Sequence, residues 1–288
     1  MATLAHAKPL DRLRRRFEHT PWQALGEAAA RLGYAARGAV YVSIGLIALL
    51  AALDLTPRAE GAVGALEAWG EWRVGVLLLW LVGLGLYGFA GWRALQAVFD
   101  VDRRGRSAKA LLTRAGQAVS GAVYAGLAIS VFGLLDALED LHETDDQAAT
   151  RAAVAQALEM PFGNLIVMAA GLFVLGAGLG SAFRAVFDHF GRDLDCDRPV
   201  RAWAGTLARI GYAARGVALI PAGGLLASAG LHARASEARG LGGALDVLAA
   251  QPFGEAMLAL IGLGLVAFGL FAFAEGALRP MTLRKLAG

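Results

Sequence analysis

Six polar positions interrupt the long apolar stretches of this chain at matching places, and their types give them the most scope for chemistry. Arg37 and Arg215 fall early in the first and fifth stretches, with Ser120 at the corresponding place in the third. Gln96, Arg184 and Glu275 share one position late in the second, fourth and sixth. Ionisable groups in a membrane span are costly and usually face a bundle interior or a water-filled cavity. On that basis the six residues form a polar layer, or the gate of a path, lining a central vestibule. Arg184 and Glu275 would pair in it, and the arginines would favour an anion. The plainer reading, which the sequence favours, is that these long side chains lie near helix ends and snorkel to the headgroups. Structural pairing between helices is the third.

Other chemistries find little support. The single cysteine, Cys196, excludes an intramolecular disulfide framework and any multi-cysteine metal or redox motif. Its carboxylate neighbours Asp195 and Asp197 argue against a reactive nucleophile. His6, His19, His142, His189 and His232 are scattered without metal-ligand spacing. Asp193-Leu194-Asp195-Cys196-Asp197 opens like a calcium loop, but Arg198 stands where the turn glycine belongs. There is no P-loop, dinucleotide fingerprint, nucleophile elbow or HExxH motif. The expectation is a non-enzymatic protein with no catalytic residues, no cofactor and no metal. Pro221, near the middle of the fifth stretch, predicts a kink, since the matching positions Ser43 and Gly126 carry no proline.

The elements that must hold such a layer are plain from composition. Of 288 residues 57% are hydrophobic and only 18% charged, against roughly a quarter charged in a soluble domain. The charges collect between six apolar blocks near 32–53, 74–98, 115–138, 162–187, 208–231 and 254–278. Each block is long enough to cross a hydrocarbon core of about 30 Å as a helix. Arg14-Arg15-Arg16-Phe17 resembles a twin-arginine signal, but it lies too far ahead of the first block to serve as one. Outside the blocks, eighteen arginines and lysines fall on one side of the alternating topology and five on the other. That asymmetry predicts a bacterial cytoplasmic membrane protein with both termini in the cytoplasm. Its basic face would hold anionic headgroups rather than nucleic acid.

The blocks are also an internal repeat. Gly33-Tyr34-Ala35-Ala36-Arg37-Gly38 returns as Gly211-Tyr212-Ala213-Ala214-Arg215-Gly216, and in weaker form as Gly116-Gln117-Ala118-Val119-Ser120-Gly121. In the even-numbered blocks Gly75, Gly163 and Gly254 align without gaps. So do Gly83, Gly171 and Gly262. Gln96-Ala97-Val98-Phe99-Asp100 matches Arg184-Ala185-Val186-Phe187-Asp188 and, loosely, Glu275-Gly276-Ala277-Leu278-Arg279. Each unit crosses twice, so all three share one orientation and are related by an axis along the membrane normal. The pattern resembles the bacterial membrane-protein family known as domain of unknown function 1206, from about Gly33 to Arg279. That resemblance implies the three-unit, six-helix architecture and carries over no catalytic or ligand residues.

The predicted fold is therefore all-α: six transmembrane helices from three parallel two-helix repeats in a pseudo-threefold bundle. A basic, partly amphipathic segment (1–31) lying on the membrane surface precedes repeats at 32–100, 101–188 and 189–279, and a tail (280–288) follows. Gly176-xxx-Gly180 and the Gly33/Gly38 and Gly211/Gly216 pairs are expected to mark close helix contacts. Two functional expectations follow. The first is an accessory or scaffold subunit with a membrane-protein partner. The alternative is a transporter or channel for a small, anionic solute through a central path.

Overall fold

The computed structural model describes residues 22–56, 58–70, 73–99, 107–139, 146–188, 190 and 194–279. These form nine α-helices and one 3-10 turn, with no strand among them. Six are long and apolar enough to cross a membrane: α1 (Trp22–Ala52), α3 (Arg73–Phe99), α4 (Ala108–Glu139), α6 (Gly163–Phe187), α7 (Arg198–Leu231) and α9 (Gly254–Leu278). The chain is a multi-pass membrane protein, and its three units are α1–α3, α4–α6 and α7–α9.

Each unit holds one more element than the sequence reading assigned. Short helices α2 (Ala62–Gly70), α5 (Asp146–Leu158) and α8 (Leu241–Ala249) lie between the two spans of their units. They explain the repeated glycine that opens each second span. A Cβ on Gly75, Gly163 or Gly254 would collide with the backbone carbonyl of Trp69, Ala157 or Ala249, where the short helix doubles back into the span. In the second and third units the residue ahead of that glycine, Phe162 or Phe253, adopts a left-handed conformation with φ 62°. That conformation is strained for a side chain of this size.

Residues 22–31, expected on the membrane surface, continue as one helix into the first span. Arg14-Arg15-Arg16-Phe17, Asp193 and the tail (280–288) lie outside the described residues. Helix α7 runs unbroken through Pro221.

Around the bundle the spans follow the pseudo-threefold order. Within units, α1 packs on α3 and α7 on α9. Between units, α3 packs on α4, α6 on α7 and α9 on α1. Among the described residues, α4 and α6 are not packed along one another, so the second unit is parted. Small residues let backbones meet at two of the seams, as expected where apolar burial does not drive association. Gly38 meets the Gly269 carbonyl and Gly45 that of Gly262 between α1 and α9, while Gly216 and Gly178 serve α6 and α7. Gly176 and Gly180, expected at a close contact, have nothing within 4 Å. They sit on the open side of α6.

Candidate functional site: a buried arginine and aromatic layer

The layer is built by helical spacing. On α1, Tyr34, Arg37 and Tyr41 stand three and four residues apart, hence on one face. On α3 the same logic aligns Phe89, Arg93 and Gln96, on α7 Tyr212 and Arg215, and on α9 Phe268 and Glu275. Arg37 lies seven residues into the apolar span that starts at Ala30, about 10 Å along the helix. It is only 4% exposed, so its charge sits inside protein and does not reach the headgroups.

Arg37 and Arg215 share one aromatic platform. The guanidinium carbon of Arg37 is 4.7 Å from the Phe268 ring centre, and that of Arg215 is 5.2 Å from it. Arg37 also lies 5.8 Å from Phe89, and Arg93 lies 4.9 Å from that ring. Tyr41 and Tyr212 meet Phe268 edge-on, while Tyr34 and Tyr124 do the same at Phe89. Through its edge-on contact with Phe89, Tyr124 brings α4 into the layer.

The hydrogen-bond partners of these arginines are mostly neutral. Arg215 donates to the hydroxyls of Tyr41 (3.0 Å) and Ser181 (3.4 Å). Arg93 donates to the Gln96 side-chain oxygen (3.1 Å). Arg37 faces the Glu275 carboxylate at 3.6 Å, beyond a good hydrogen bond. Nε and Nη2 of Arg37, Nε of Arg93 and Oε2 of Glu275 are buried without a hydrogen-bond partner. Removing an ion from water costs on the order of several kcal/mol even after relaxation. A cation–π contact returns about 0.5–2 kcal/mol. The aromatic platform therefore offsets only part of the cost, and among the described residues Glu275 is the carboxylate that faces Arg37.

The six expected residues are not all brought together. Arg37, Arg215, Gln96 and Glu275 are, but Ser120 is half-buried and takes part in none of these contacts. Arg184 and Glu275 do not pair. Arg184 binds Asp188 one turn along its own helix at 2.8 Å, and its side chain is 49% exposed. Glu275 instead faces Arg37 and Arg279, each at 3.6 Å. The two positions carry the same ion pair with its charges exchanged, Arg184–Asp188 against Glu275–Arg279. In both copies the arginine also donates to the repeated tyrosine of the next span, Arg184 to Tyr212 and Arg279 to Tyr34, each at 3.0 Å.

Sequence reasoning missed Arg93, Tyr41, Tyr124, Ser181 and the two phenylalanines. The repeat alignment held the signal for Phe89 and Phe268, each fourteen residues beyond the aligned glycines Gly75 and Gly254. Some loop arginines counted only for orientation have a second use. Arg31 donates to the last carbonyls of α9 (Gly276 2.7 Å, Ala277 2.9 Å), and Arg114 to those of α3 (Ala97 2.7 Å, Val98 2.9 Å). Both satisfy carbonyls that a helix end leaves without donors and complement its dipole.

The three repeated units correspond to a known family. The profile of the family described as Domain of Unknown Function (DUF1206) matches three times, over residues 32–100, 115–188 and 210–279. The chain belongs to that family. It is also similar to the Uncharacterized protein YxxB of Bacillus subtilis (strain 168), with 31% identity over 282 residues, spanning 93% of this chain and 95% of that protein. No solved structure matches it.

Proposed function

We propose that this protein is a non-enzymatic accessory or scaffold subunit of a complex in the bacterial cytoplasmic membrane. Both termini would lie in the cytoplasm, and anionic headgroups would gather on that basic face. The observation that carries this reading is the parting of the second unit. Helices α4 and α6 do not pack on each other, and Gly126 and Gly133 on one and Gly176 and Gly180 on the other stand open. Small residues are what an approaching transmembrane helix needs for close packing. Purification from native membranes in a mild detergent, followed by mass spectrometry, is expected to recover a stoichiometric membrane partner. Gly180→Leu should release that partner and leave the bundle folded. A solitary protein under every mild condition would defeat the proposal.

The buried arginines favour a second reading, transport of a small anionic solute along the central path. Flux of an anion into proteoliposomes that disappears in Arg215→Gln would support it. An absence of flux would remove it.

A further inference from the structure

We infer that the layer holds a phosphate group, bound between Arg37, Arg93 and Arg215. Each of the three is placed by a different contact. Arg37 and Arg93 both lie against Phe89, Arg37 and Arg215 both lie against Phe268, and Tyr124 meets Phe89 edge-on. Among the described residues the carboxylate set against this group is Glu275, which faces Arg37 and is shared with Arg279. Arg184 is matched by Asp188 and adds nothing to the excess. Arg37 is buried and Arg93 and Arg215 are half-buried, and buried N–H groups of Arg37 and Arg93 are left without acceptors.

Hydroxyl groups of Tyr41 and Ser181 and the amide of Gln96 can accept from arginine, yet they carry no charge. The missing group must therefore be an acceptor and an anion at once. An arginine fork meets carboxylate or phosphate oxygens with two parallel bonds. Of these, phosphate has enough oxygens to serve several forks and enough charge to cancel more than one of them. It has two sources, the headgroup of an anionic lipid or a soluble phosphate. The site is independent of whether the protein works alone or with a partner.

The test uses the full chain, delipidated in a maltoside detergent, with the thermal unfolding midpoint as readout. Inorganic phosphate is titrated in one arm and phosphatidylglycerol in another, with chloride at matched ionic strength and phosphatidylcholine as controls. The expected result is a saturable rise in midpoint with one of the two probes. A response to inorganic phosphate identifies a soluble ligand. A response to phosphatidylglycerol alone, with that lipid retained in native mass spectra, identifies a headgroup. Arg215→Gln and Arg93→Gln should each weaken the response about tenfold or more, as loss of a charge-assisted bond requires. Arg209→Gln, on the exposed face of α7, should respond like the unaltered protein. If Arg215→Gln fails to fold, Arg93→Gln and the unaltered protein decide. No rise beyond the controls in the unaltered protein, or full responses in the foldable variants, overturns the assignment.

Discussion

The first and third units close, whereas the second does not, although all three derive from one pattern. In the first, Gly33 receives the backbone and side chain of Phe89, and a Cβ there would lie 2.5 Å from the Phe89 Cβ. In the third, Gly211 receives Phe268, where a Cβ would lie 2.5 Å from its Cα. The equivalent pair in the second unit is Gly116 and Ala177, and nothing lies within 4 Å of Gly116. The hole is present and the knob is missing. The cation that uses the knob as a platform is missing too, since Ser120 replaces the arginine found at Arg37 and Arg215. The comparison teaches that closure of a unit and its charge are one device. The phenylalanine both fills the glycine notch and supports the guanidinium, so losing either function removes the reason for the other.

The sharpest way to break this comparison is to remove the knob. Phe268→Ala should cost about 3–5 kcal/mol, the usual range for a buried ring, and should also strip both arginines of their shared platform. Unfolding in mixed micelles reads it, and a loss no larger than that of an exposed phenylalanine such as Phe183 would dismantle the argument. Next comes the hole. Gly33→Ala and Gly211→Ala should each cost about 1–3 kcal/mol by overpacking, whereas Gly116→Ala should be neutral or gain up to about 1 kcal/mol from better helix propensity. Equal effects at the three sites would mean that the second unit closes after all.

A smaller contrast lies at the helix ends. Arg31, Arg114 and Arg209 occupy the same repeat position, but only the first two cap a neighbouring helix, α9 and α3. Arg31→Ala and Arg114→Ala should each cost about 1 kcal/mol, and Arg209→Ala should stay within about 0.5 kcal/mol of zero. The smallest effect concerns the short helices. Asp246 on α8 accepts from Gln147 on α5 at 2.8 Å and from the Ala59 N–H. Burial still raises its carboxyl above the ordinary range, with those two bonds opposing the rise. An acid whose folded value is raised contributes stability that is fully present below the unfolded value and lost as pH rises through the folded one. Protection factors for hydrogen exchange in α5 and α8, corrected for the intrinsic pH dependence, should therefore rise at mildly acid pH, and Asp246→Asn should abolish that rise.

The six spans and the three units were legible because length, hydropathy and aligned glycines each leave a trace along the chain. The short helices were not. At nine residues, α2 and α8 are too brief to show a period, and α5 is an alanine-rich stretch that reads as linker. In the layer, Arg37, Arg215, Gln96 and Glu275 stood out as polar groups in apolar surroundings. Arg93 escaped because its repeat partners are Ser181 and Ala272, so no recurrence flagged it. The Arg184–Glu275 pairing failed for a local reason: each side chain finds an opposite charge one turn along its own helix. Repeat position gives depth in the bundle, but it does not give reach.

The neighbourhood of α1 and α9 bears on biogenesis. Arg37 enters the bilayer with α1, while Glu275 and Phe268, which face its charge, arrive five spans later with α9. Until then the growing chain carries an unmatched cation in hydrocarbon, which is costly to hold there. Insertion of α9 and the arrival of a carboxylate for Arg37 are thus the same event. A product that stops short of α9 keeps Arg37 without the carboxylate and the Phe268 ring that face it in the folded chain.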